Sequence, residues 1–192
     1  MIDWHQLNQN THLTNKKGLR MSIQVSKPAP SFSAEALHGQ NFVKVASDDY
    51  KGKWLVLFFY PLDFTFVCPT EIKAFSAAYD EFTKRGADIV GCSVDSKYSH
   101  QAWSQNGLGE IRFPIMSDFL RTISRDYGVL DEATGFAHRG TFIIDPDGIV
   151  RWQLVHDTGI GRNIEETLRV LDALKAGGLC AANWKKGDAL LK

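Results

Sequence analysis

The chain has 192 residues, 22 Lys and Arg against 22 Asp and Glu, 44% hydrophobic residues and three cysteines, a balance that suits one soluble globular domain. A domain of this size buries roughly 70% of the surface its unfolded chain exposes, so neither a disulfide nor a metal is needed for folding. Zero formal net charge without a run of like charges argues against nucleic acid as a partner, and the longest apolar stretch, Trp54 to Leu62 with Pro61 inside it, falls well short of the roughly 20 residues of a membrane-spanning helix.

Residues 1–21 form a polar leader with no apolar h-region and no small-residue cleavage site, so they read as a disordered extension or as sequence ahead of a start at Met21, and a cytoplasmic location is expected. One domain is expected over 22–176, since no linker-like shift or internal repeat divides it. Trp54–Tyr60 (WLVLFFY), bounded by Lys51-Gly52-Lys53 and Pro61, has the pattern of a central strand buried on both faces. After Pro69, the residues Ile72, Phe75, Tyr79 and Phe82 recur at helical spacing as far as the stop at Gly86, so the strand is expected to lead straight into a helix. Ala87–Val94 reads as a second buried strand, and Ser96 as the cap of a helix reaching about Gln105. Thr141–Asp145 and Ile149–Val155 flank the turn residues Pro146-Asp147-Gly148 and predict a hairpin. Asn163 and Glu166 spell a capping box for a last helix with the stripe Ile164, Leu168, Leu171 and Leu174, ended by Gly177-Gly178. Alternating strand-helix units followed by a hairpin and a helix predict an α/β domain, a central mixed sheet with helices on both faces, of thioredoxin-like fold. Residues 177–192 follow as a polar, mobile tail.

The segment Pro61-Leu-Asp-Phe-Thr65-Phe-Val-Cys68-Pro-Thr-Glu71 places a thiol where a buried strand ends and a helix begins. Unpaired N–H groups and the dipole at a helix N-terminus favour a thiolate over a thiol. Pro69 suits the first turn, where its missing N–H costs nothing, and Thr65 can bring a hydroxyl near the sulfur. An arbitrary cysteine would read as a small buried hydrophobe.

The motif decides against that reading. PLDFTFVCPTEI resembles the active-site segment of the peroxiredoxins, in which Pro-x-x-x-Thr-x-x-Cys surrounds the peroxide-reducing cysteine. The resemblance runs from about Ser22 to Lys186, takes in HRGTFIIDPDG, GRNIEETLRVLDAL and LCAANWKKGD, and points to the typical two-cysteine branch that includes the alkyl hydroperoxide reductase C subunit. It implies a thiol peroxidase domain over 22–176, with Cys68 as nucleophile in a pocket formed by Pro61, Thr65 and Arg139. Glu71 and Arg162 are implied as residues around that arginine, although a first-turn Glu and an Arg beside a helix start are ordinary surface features. Cys180, in the tail 177–192, is implied as the resolving cysteine that forms a disulfide with the partner subunit's peroxidatic thiol.

The resemblance further implies hydroperoxide substrates, an external dithiol or flavoprotein reductant, a homodimer assembled as a ring of five dimers, and no metal, haem or flavin of the protein's own. Ala181 stands where many relatives have proline, with little consequence expected. The chain stops at Lys192 without the Tyr-Phe helix of many eukaryotic relatives, and their GGLG element survives only as Asn106-Gly107-Leu108-Gly109, so a form resistant to overoxidation is expected. The rival reading is an oligomeric chaperone or redox-relay protein.

Other signals lead nowhere. Cys92 lies inside the apolar Ala87–Val94 run and reads as structural and inert. The six histidines show no metal-ligand spacing, there is no Cys-x-x-Cys pair, Gly159-Ile-Gly161 lacks the third glycine of a dinucleotide loop, and Asp145-Pro-Asp147-Gly148 is a turn without a calcium-ligand series.

Overall fold

The computed structural model describes residues 23–192, so the leader expected over 1–21 lies outside the described residues. In chain order the elements are β1 (Ser33–His38), β2 (Asn41–Ala46), β3 (Trp54–Phe59), α1 (Cys68–Ala77), α2 (Tyr79–Thr83), β4 (Ala87–Ser93), α3 (Lys97–Trp103), β5 (Ile115–Ser117), α4 (Thr122–Asp126), β6 (Arg139–Ile144), β7 (Val150–His156) and α5 (Ile164–Ala176). The strands form one seven-stranded sheet in the order β2-β1-β5-β4-β3-β6-β7. β3, β4 and β5 run parallel to one another, and every other neighbouring pair is antiparallel.

The period-two alternation of β3 divides the core. Val56, Phe58 and Tyr60 face Ile72 and Phe75 of α1, Phe82 of α2, Trp103 of α3 and Leu171 of α5. Leu55, Leu57 and Phe59 face the other way, towards Ile123 of α4, Tyr127 and Phe142. Both faces of the central strand are dry, which explains why its sequence is continuously apolar. Helices cover both faces, but unequally: among the described residues the second face has the five-residue α4 and the short 3-10 turn Ser47–Tyr50. Among the described residues no helix is long and apolar enough to cross a membrane.

Several local expectations meet a modified outcome. The strand does not lead straight into the helix, because residues 60–67 form a loop between β3 and α1. Tyr60 N–H still donates to the Cys92 carbonyl at 3.0 Å, but Pro61 has no N–H with which to continue the ladder. The expected single helix up to Gly86 breaks at Ala78 (φ −85, ψ 2) into α1 and α2. The pieces still stack Phe75 against Phe82, with ring centroids 5.9 Å apart. Ser96 caps α3 by accepting from Ser99 N–H at 3.1 Å, but the helix ends at Trp103 and passes into an irregular turn in which Asn106 and Gly107 leave helical dihedrals. Asn163 caps α5 by accepting from Glu166 N–H at 3.0 Å. Only that half of the box forms, since the Glu166 carboxylate turns to Arg169 at 2.6 Å. In the β6–β7 turn, Asp145 Oδ1 accepts from the N–H groups of Asp147 and Ile149 at 3.0 and 2.9 Å, the side-chain turn expected of aspartate.

Candidate active site

Cys68 is the first residue of α1; Val67 precedes it with no side-chain cap, and Pro69 lies in the first turn. The thiol is free and fully buried. Its neighbour is set by sheet register. β3 and β6 are antiparallel with Phe58 opposite Thr141, so Arg139, two residues earlier on β6, extends past the end of β3 to the level of Tyr60, where the strand hands over to the loop. There Arg139 Nη1 lies 3.3 Å from Cys68 Sγ and 2.6 Å from Glu71 Oε2. Its remaining nitrogens are committed to one acceptor: Nε and Nη2 donate to the Thr158 carbonyl at 2.8 and 2.6 Å.

Glu71 joins two guanidinium groups. Arg162 Nη1 lies 2.9 Å from Glu71 Oε2, and Arg162 N–H donates to Oε1 at 2.9 Å. Arg162 is tied to the sheet through Nε to Thr141 Oγ1 at 2.7 Å and through Nη2 to the carbonyls of Gly140 (3.1 Å) and Phe59. The side chains of Glu71, Arg139 and Arg162 are all buried. Burial pulls Arg162 down to about 10, against the Glu71 carboxylate, which raises it; it still carries its charge at neutral pH. Two guanidinium groups and one carboxylate meet in this buried cluster, with the Cys68 sulfur beside one of the guanidinium groups. Unpaired buried charge is costly, so the surroundings of Cys68 suit an anion. The first-turn carboxylate and the arginine before α5 are therefore interior groups, unlike the surface features that their types suggest.

The sequence matches the AhpC/TSA family over residues 25–153. It is 50% identical over 174 residues to peroxiredoxin 2 of Drosophila melanogaster, covering 86% of this chain and 90% of that one. The chain belongs to the typical two-cysteine peroxiredoxins of the AhpC/TSA family. Peroxiredoxin-4 of Dictyostelium discoideum is 46% identical over 196 residues, covering 97% of this chain and 76% of the relative. The reduced 2-Cys peroxiredoxin of Plasmodium vivax superposes with a TM-score of 0.85 at 44% identity, over 88% of this chain and 92% of the other. AhpC of Mycobacterium tuberculosis superposes with a TM-score of 0.78 at 41% identity, over 86% and 100%. This peroxiredoxin is accordingly a thiol-dependent peroxidase of thioredoxin-like α/β fold.

Not every residue implied by the motif meets at the thiol. Pro61 is buried where the chain leaves β3. Thr65 is half-buried, and its hydroxyl donates to the Leu62 carbonyl at 2.9 Å, with no hydrogen bond to Cys68 Sγ among the described residues. Cys180 lies beyond α5, half-buried and free, with Sγ 3.8 Å from the Ala173 carbonyl. The tail around it is anchored: Trp184 is 5% exposed, its carbonyl accepts from Arg169 Nη1 at 3.0 Å, and its Nε1–H donates to the Asp188 carbonyl at 3.1 Å. An open, unanchored tail was the expectation. Trp184 changes that because an indole that packs and hydrogen-bonds brings its chain along. Cys92 is fully buried in β4, where burial first and Asp118 second push its thiol well above the ordinary range.

Sequence reasoning passed over two contributors. The segment around Gly159 and Gly161, tested only as a dinucleotide loop, supplies the Thr158 carbonyl that seats Arg139. Asp63, inside the quoted motif, and His100, counted only as a non-ligand, form a buried pair beside the loop at 2.8 Å. An acidic residue between apolar neighbours in the motif was the available signal.

Proposed function

We propose that this thiol peroxidase reduces hydrogen peroxide and small organic hydroperoxides with Cys68 as nucleophile and Cys180 as resolver. The Cys68 thiolate attacks one peroxide oxygen and the O–O bond breaks. The sulfur is oxidised to sulfenic acid, and the other oxygen leaves as water or alcohol after taking a proton. Arg139, held by Thr158 and Glu71, donates to the oxygen on which charge develops. Pro61 and Thr65 wall the entrance, while Glu71 and Arg162 hold Arg139 in place. The Cys180 thiol of the second copy in a homodimer then attacks the sulfenic sulfur, releasing water and forming the disulfide. An external dithiol or flavoprotein returns both sulfurs to thiols by exchange. The dimer and a ring of five dimers follow from family resemblance, and a pairing between copies agrees with two thiols that are both free in one chain. A cytoplasmic location belongs to the same proposal.

The observation that carries the reading is the 3.3 Å approach of Arg139 Nη1 to Cys68 Sγ beside a buried carboxylate shared with Arg162. Its test is stopped-flow tryptophan fluorescence on peroxide addition, with non-reducing electrophoresis, for wild type, Cys68→Ser and Cys180→Ser. Wild type is expected to react fast and form a linked dimer, Cys180→Ser to stop at sulfenic acid, and Cys68→Ser to be inert. Peroxide consumption by Cys68→Ser, or a wild type that never links, would overturn the assigned roles.

A further inference from the structure

A second concavity opens at the start of β3, the end remote from Cys68, on the face that α4 and the Ser47–Tyr50 turn cover sparsely. Residues 29–32 run along it and are tied down at two points. The Ala29 N–H donates to the Gly148 carbonyl at 2.9 Å, and the Tyr127 hydroxyl donates to the Pro30 carbonyl at 2.9 Å. A third tie runs from the Gly52 N–H to the Pro146 carbonyl at 3.0 Å. These bonds fix the segments that surround a cavity of about 460 Å³, within the roughly 300–1,000 Å³ of small-molecule sites. Its lining shares no residue with the thiol pocket.

The floor of the cavity is apolar and aromatic. Phe32, Leu55, Tyr127 and Ile144 line it and are buried, and the half-buried Tyr50 joins them with its ring centroid 6.3 Å from that of Phe32. The Tyr127 hydroxyl is committed to Pro30. Burial first, then the carboxylates of Asp88 and Asp49, push the Tyr50 phenol well above its ordinary range, so its ring is a neutral wall. The rim is charged, and nearly all of that charge is matched. Lys51 pairs with Asp48 at 2.9 Å, Lys53 with Asp88 at 3.0 Å, and Asp145 with Arg151 at 3.4 Å. Asp147 also lines the cavity, is exposed, and has no ion pair among the described residues. The unmatched charge of the lining is therefore a carboxylate beside aromatic rings. The faces of such rings themselves attract cations, so both features select a ligand of the same sign.

We propose that this cavity is a binding site for a compact aromatic amine, with the ring against Phe32, Tyr50 and Tyr127 and the ammonium group at Asp147. Burial of the ring supplies most of the affinity, while the exposed carboxylate supplies selection more than strength. An acid of the same shape meets the opposite situation. It brings a second anion to Asp147, and the two lysines of the rim already have carboxylate partners. The site stands apart from the roles of Cys68 and Cys180 and does not rest on them.

The test is isothermal titration calorimetry of the reduced, full-length protein with tryptamine and with indole-3-propionate, an acid of comparable ring and arm, in wild type, Tyr50→Leu, Asp147→Asn and Asp147→Lys. Wild type is expected to bind tryptamine with a Kd of about 0.1–1 mM, the range open to so small a ligand, and to bind indole-3-propionate more weakly. Asp147→Asn should weaken tryptamine about two- to fivefold, as loss of an exposed ion pair does, and Asp147→Lys should reverse the preference between amine and acid. Tyr50→Leu keeps an apolar wall but removes the aromatic face, and should weaken tryptamine about three- to tenfold. Asp147 is an exposed turn residue whose N–H, not its carboxylate, is held by Asp145, so its variants are expected to fold; should Tyr50→Leu fail to fold, they still decide. Absence of tryptamine binding in wild type overturns the proposal. So does equal affinity for amine and acid, or tryptamine binding that Asp147→Lys leaves unchanged.

Discussion

Cys68 and Cys92 are equally buried, and only what surrounds them separates the proposed nucleophile from a thiol that fills the core. Cys92 lies within β4, paired in the ladder with Phe59 and Met116, in an apolar cluster where Asp118 is the charge that acts on it. Burial and that carboxylate both favour the protonated thiol. Cys68 lies where the ladder has ended and a helix begins, 3.3 Å from a guanidinium that is itself fixed by a carboxylate and a carbonyl. Burial alone therefore says nothing about chemistry. The end of an element, where backbone groups and charged side chains converge, decides it.

The sharpest way to break this contrast is to remove the cation. Arg139→Met takes away the donor to the sulfur while Glu71 keeps Arg162, and the rate constant with peroxide should fall about 10²- to 10³-fold, as it does on loss of one donor to a developing oxyanion. Stopped-flow kinetics would show it, and a near-wild-type rate would remove Arg139 from the mechanism. Glu71→Gln tests the same cluster from the other side. It leaves two buried guanidinium groups without their carboxylate, and urea denaturation should show a loss of about 3–5 kcal/mol, the cost of stranding buried charge.

Cys92 supplies the counterpart. Cys92→Ala should leave the peroxide rate unchanged and cost about 1 kcal/mol for the small cavity. In native protein Cys92 should resist iodoacetamide until unfolding, whereas Cys180 is labelled. The pH dependence has a definite sign. With its folded thiol pushed up, Cys92 keeps its proton where the unfolded chain's thiol ionises, above about pH 8.5. The native state then binds more protons than the unfolded state, so this contribution to stability declines as pH rises. Thermal melts across that range should show a shallower alkaline decline in Cys92→Ala than in wild type. The smallest expected effect is Asn163→Ala, which removes the α5 cap at 3.0 Å and should cost about 1 kcal/mol without changing the peroxide rate. A fall in that rate would mean that the start of α5 transmits to the thiol pocket through Arg162.

Strong local signals were legible in the residues alone. The continuous apolar run from Trp54 became the central strand, Ser96 and Asn163 became caps, and the residues after Asp145 became a hairpin turn. Weak signals were not. β5 has three residues and α4 five, too few to display a period. The β1–β2 hairpin at the sheet edge is mostly exposed or half-buried, does not alternate regularly, and has no continuous apolar run. The break at Ala78 carries no proline or glycine to announce it.

By itself, the sequence determined which segments could be strand, helix or turn, and its motif marked one thiol of the three as the candidate nucleophile, because propensity, capping and pattern act within a few residues. Tertiary structure decided how Glu71, grouped with Arg139 and Arg162 only by the resemblance, bridges these partners 68 and 91 residues away, that Asp63 meets His100 across 37 residues, and that Trp184 ties down the tail of Cys180. A charged residue reads as surface from its neighbours in the chain. Only sheet register and helix packing bring opposite charges into the same dry space, where each makes the others' burial tolerable.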